Sequence, residues 1–71
     1  MQFDFSKLLG RIKEHGYTQE RLAREIGLTK STLSLKLNNK AYFTLPEMAK
    51  IQIILCIESM DIGAYFFTLK V

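Results

Sequence analysis

One cysteine, Cys56, and one histidine, His15, are all that the 71 residues offer to thiol and imidazole chemistry. A lone cysteine excludes an intrachain disulfide and suits a reducing cytoplasm, the expected location. Its place in the apolar run 53–57 predicts a buried, inert thiol. A lone histidine without a cysteine pair or carboxylate cluster leaves no basis for a metal site, and at a helix end it suits interaction with the helix dipole. There is no nucleophile–base–orienter set and no glycine-rich phosphate loop, so neither an enzyme nor a cofactor is expected. The longest apolar run, residues 53–57, is far short of the roughly 20 residues that span a bilayer. Phe3, Asp4 and Phe5 do not make the basic n-region of a signal peptide, so no membrane partner is expected. No repeat, linker or low-complexity segment divides the chain, which is read as one domain over residues 1–71.

Acidic residues are missing from one long span. Between Ile26 and Pro46 there is none, while Lys30, Lys36 and Lys40 all lie there. The net charge of +3 suits an anionic partner. With 48% apolar and 24% charged residues the composition is that of a globular protein. A chain this short buries only about 60% of its unfolded surface, so its core is thin and oligomerisation would help.

The apolar pattern is helical for most of the length. Asp4 or Ser6 can cap a first helix running to about His15, with Phe5, Leu8, Leu9 and Ile12 as its inner stripe. Lys7, Arg11, Lys13 and Glu14 take the outer face. Gly10 costs such a helix about 1 kcal/mol against alanine, which close packing against another helix would explain. Gly16 ends it. Residues 18–38 then read as two short helices around a turn. Thr18 caps the first, Leu22, Ala23 and Ile26 face inward, and Gly27 supplies the left-handed terminus. After Leu28, Thr29 caps a second helix, Lys30–Leu37, with Leu33 and Leu37 buried and Ala23 small where the helices cross. Arg21 and Arg24 are assigned to a solvated face. Asn38 or Asn39 can end the second helix, and Phe43 returns to the core. Thr44, Pro46 and Glu47 form a capping box with proline in the first turn. That box starts a helix to about Leu55, with Met48, Ile51 and Leu55 inward and Ile54 beside them. Residues 59–66 predict a short fifth helix interrupted by Gly63. The tail 66–71 alternates with period two, which predicts a strand. Its natural partner would be a second copy of the chain, with residues 65–71 used for self-association.

The spacing within residues 18–38 resembles the helix-turn-helix of the lambdoid phage repressor and Cro family. The match rests on Leu22, Ala23, Ile26, Gly27, Leu28 and Leu33, each of the type that the family pattern wants. One position departs: Lys36 stands where the family is usually apolar, between Leu35 and Leu37. The resemblance covers about residues 4–57 and implies an all-α, lambda-repressor-like bundle of four to five helices. It implies a Cro-like, sequence-specific DNA-binding regulator of a phage or prophage switch, with no room for a second regulatory domain and acting as a homodimer on an operator. Family base contacts map onto Thr29, Lys30, Ser31, Ser34 and Leu35, and phosphate contacts onto Thr18, Gln19, Asn38, Asn39, Lys40 and Tyr42. The reading set is poor in the bidentate Arg, Gln or Asn contacts that discriminate bases best. The alternative is an antirepressor, a modulator that binds the phage repressor protein through the same surface. Leu35 beside Leu33 and Leu37, with the aromatic tail Tyr65, Phe66 and Phe67, would serve such a partner.

Overall fold

The computed structural model describes residues 2–71, and their fold is all-α. Helices α1 (Ser6–Glu14), α2 (Gln19–Glu25), α3 (Lys30–Leu37) and α4 (Leu45–Ile54) are followed by a 3-10 turn (Ser59–Asp61) that runs into α5 (Ile62–Phe66). Each of the first four helices ends in the same way. The residue after the C-cap is left-handed, at Gly16 (φ 71°), Gly27 (φ 82°), Asn39 (φ 63°) and Cys56 (φ 53°). The next amide reaches back five residues, as Tyr17 does to Ile12 and Leu28 to Ala23. These are Schellman ends, which satisfy carbonyls that a helix otherwise leaves bare.

Helix starts follow the expected caps. The hydroxyls of Thr18, Thr29 and Thr44 accept from the amides of Arg21, Thr32 and Glu47, and Glu47 completes the capping box. At α1 the N-cap residue is Phe5, which has no side-chain bond; the Asp4 carboxylate accepts from the Ser6 amide instead, at 2.9 Å. That bond holds the Asp4 carboxyl below its ordinary range.

Leu8, Leu22, Leu33, Ile51 and Leu55 meet at the centre, fully buried. Ala23 is buried with them, and α2 packs chiefly on α3. Among the described residues no helix is long and apolar enough to cross a membrane.

Several expectations are corrected. Leu9 is 40% exposed and lies outside the core, so the α1 stripe is Phe5, Leu8 and Ile12. Gly10 is exposed, and a Cβ there would meet nothing within 4 Å, so close packing is not its reason. Arg11 is not a free surface cation. Its guanidinium crosses to the end of α4 and donates to the carbonyls of Leu55 (3.0 Å) and Cys56 (2.9 Å), where a cation also complements the helix dipole. The Cys56 thiol is exposed, because the left-handed turn at its own backbone swings it out of the apolar run.

Cysteine without a packing role is a costly choice at φ 53°. Cys56→Gly is therefore expected to stabilise the fold by about 1 kcal/mol, or about 4–8 °C in Tm for a domain of this size. A thermal melt checks this.

The tail also differs from expectation. Phe66 belongs to α5 and is buried. Beyond it lies a single antiparallel bridge, Phe3 to Leu69, rather than a strand. Asp4 donates to the Thr68 carbonyl (2.7 Å) and Lys70 to that of Gln2 (3.0 Å). The tail thus pairs with the chain's own beginning and needs no second copy. The packing of α5 on α1 holds the two ends together, and an intramolecular partner outcompetes a dilute second molecule.

Candidate interaction surface around the third helix

The outer side of α3 follows from what its inner side must bury. Leu33 and Leu37 go into the core, as the spacing predicts, and Lys36 goes in with them. The lysine that breaks the family pattern is 8% exposed. Its ammonium forms an ion pair with the Glu47 carboxylate, and both side chains are largely buried. The same carboxylate oxygen accepts from the Thr44 amide at 3.0 Å, so one group closes the α4 capping box and ties α4 to α3. Burial raises the Glu47 carboxyl, but the hydrogen bonds from Lys36 and Thr44 outweigh that and hold it below its ordinary value.

With Lys36 turned inward, Leu35 is left pointing out, 49% exposed. Lys30 and Ser31 are exposed beside it, and Ser34 is half-buried. Past the helix end, Lys40 and Tyr42 are exposed, and the Lys40 amide returns to the Leu35 carbonyl at 2.8 Å. Thr18, Gln19, Glu20 and Lys30 line a shallow depression. The depression brings together three residues expected near DNA, and it also places a carboxylate among them.

Four of the expected contact residues have other engagements. The Thr18 and Thr29 hydroxyls serve as caps. Asn38 donates to the Ser34 carbonyl at 2.8 Å. Asn39, the left-handed residue, accepts from the Phe3 amide (2.8 Å) and donates to the Phe3 carbonyl (2.9 Å). Of the two asparagines, Asn39 is the one that ends α3, and Asn38 is the C-cap before it.

A second feature adjoins Tyr42. Phe3, Phe5, Ala41, Tyr42, Phe43 and Phe67 line a small cleft together with Asn39. The five phenylalanines form a row within it and behind it. Phe67 meets Phe3 edge-on (6.0 Å between centroids), Phe3 meets Phe5 (6.2 Å), Phe5 meets Phe43 (5.6 Å) and Phe43 meets Phe66 (5.5 Å). Such tilted and edge-on contacts suit the ring quadrupoles. Of the aromatic tail, Tyr65 and Phe66 are buried and Phe67 is 52% exposed. Phe3 and Ala41 had no signal in the sequence as site residues, because the cleft joins segments about forty residues apart.

Fold and surface define a small all-helical protein in which α2 and α3 pack together across a tight turn and the outer face of α3 is part apolar and part basic. Residues 1–69 match a family described as "Protein of unknown function (DUF739)", and the chain belongs to that family. It is similar to a solved structure, the solution structure of the modulator of repression (MOR) of the temperate bacteriophage TP901-1 from Lactococcus lactis. The two are 42% identical, the match covers 100% of this chain and 96% of that one, and the TM-score is 0.79. No match is found among curated proteins. The phage connection implied by the motif thus stands as a relation to a phage regulatory protein, while the narrower Cro assignment does not follow.

Proposed function

We propose that this chain modulates a phage repressor by binding the repressor protein, in preference to reading an operator itself. The observation that carries this reading is the composition of the α3 face. The acid-free span loses one of its three lysines to an internal ion pair, and the place beside it is taken by a half-exposed leucine. A phosphate-binding surface wants the opposite arrangement, with lysines outward and leucine inward. Past the helix end, Tyr42 (74% exposed) and Phe67 (52% exposed) line the aromatic cleft, and exposed aromatic and apolar groups at a cleft are what protein interfaces are built from. Four of the polar groups that would have read or gripped DNA, Thr18, Thr29, Asn38 and Asn39, serve as caps and clamps. The 42% identity to a protein named modulator of repression supports the same conclusion.

Titration of the purified chain into the repressor of the same phage, followed by calorimetry, tests the proposal. A saturable complex is expected, together with no operator shift by the chain alone at low salt. Operator binding that falls steeply with salt, without repressor binding, would overturn the proposal, because counterion release marks a phosphate contact surface.

A further inference from the structure

The geometry points to Asn39 as a positioning residue that couples the end of α3 to the aromatic cleft; this rests on the repressor-binding reading above. Of the four left-handed helix ends, those at Gly16 and Gly27 use glycine, the residue that adopts this backbone without strain. Asn39 adopts it at φ 63° and carries a side chain with work to do. In the bridge between Phe3 and Leu69, the flanking bonds run from Asp4 to Thr68 and from Lys70 to Gln2. This antiparallel pattern leaves the amide and carbonyl of Phe3 pointing away from the tail. The Asn39 amide group meets both, at 2.8 and 2.9 Å, as a neighbouring strand would. The Phe3 backbone is therefore gripped on both edges, by the tail on one and by the end of α3 on the other.

The Phe3 ring sits between Phe67 and Phe5 in the row of phenylalanines. Anything that lets residue 3 move shifts the wall of the cleft beside Tyr42. Asn39 also belongs to the Schellman end in which Lys40 bonds back to Leu35. A partner that bears on Leu35 and on the cleft thus meets two surfaces held in register by one amide side chain.

Asn39→Gly keeps the left-handed backbone and removes only the clamp. Asn38→Gly is the control, because the Asn38 side chain bonds within its own helix. Hydrogen exchange of the chain alone should show the amides of Phe3, Asp4 and Lys70 opening at least about tenfold faster in Asn39→Gly, with α2 and α4 unchanged. Affinity for the repressor should fall by about tenfold, the order expected for lost hydrogen bonds. Asn38→Gly should change neither. Unchanged exchange at Phe3, Asp4 and Lys70 would overturn the clamp. Faster exchange with unchanged affinity would overturn its positioning role. A wild-type chain that fails to bind the repressor would remove the proposed function and this role together. That failure is distinguishable, because the exchange measurement needs no partner.

Discussion

Lys36→Ala is expected to cost the fold about 3–5 kcal/mol, the usual loss when one member of a buried ion pair is removed. A chain of this length has only about 4–10 kcal/mol of stability in total at ordinary values per residue, so the variant should lose a large share of it and melt well below the native chain. Two losses combine. The lysine stem no longer fills its place between α3 and α4, and the Glu47 carboxylate is left without its cation at a largely buried site. Lys36→Met separates them, because it keeps the apolar stem and removes only the charge. The double variant Lys36→Met with Glu47→Gln should recover most of the stability, because glutamine can still close a capping box and no unpaired charge remains. The pair also predicts a pH dependence. The Glu47 carboxyl is held below its ordinary value of 4.5 in the fold. Its contribution is therefore fully present above that value and is lost as pH falls through the lower folded value. Urea melts near neutral pH and in acid should show a larger loss in the native chain than in the double variant, which keeps only the contribution of Asp4.

Leu35→Glu is expected to leave the fold intact and to abolish repressor binding. The side chain is half exposed at the outer face of α3, so a carboxylate there stays in water and costs the fold little. At an interface the same change buries a charge opposite whatever apolar group Leu35 met. An anchoring residue carries about 2 kcal/mol or more, which is roughly thirtyfold in affinity. Tyr42→Ala, at a 74% exposed ring, should also weaken the complex without lowering Tm, because tyrosine is among the residues that most often anchor interfaces. Ser31→Ala should be nearly neutral in this reading and harmful in a base-reading one. Three measurements decide the matter, namely melting, repressor binding and operator binding. A Leu35→Glu chain that melts normally and binds the repressor as tightly as wild type would show that α3 is not the contact surface.

Legibility in the sequence tracked the distance over which each feature is decided. Helix starts at Thr18, Thr29 and Thr44 depend on a hydroxyl and an amide three residues apart, and all three stand where the pattern places them. Gly16 and Gly27 end helices for an equally local reason. Lys36 could be seen to break the family pattern, but its fate could not be read. A lysine at an inward position either splays the helix end or finds a buried anion, and only the packing of α4 supplies Glu47. The role of Arg11 is hidden in the sequence for the same reason, because the carbonyls it satisfies lie forty-four and forty-five residues away.

The sequence by itself determined the four longer helices, the threonine caps of α2, α3 and α4 and an all-α class, because each rests on bonds and periodicities within one or two turns of chain. Tertiary structure alone decided the site. It turned Lys36 inward and Leu35 outward, drew the Asn39 amide to Phe3, exposed Cys56 and closed the tail onto the chain's own beginning. Each of those outcomes depends on which distant group arrives as partner. A polar side chain is equally ready for solvent, phosphate or a neighbouring backbone until the fold brings one of them within hydrogen-bonding distance.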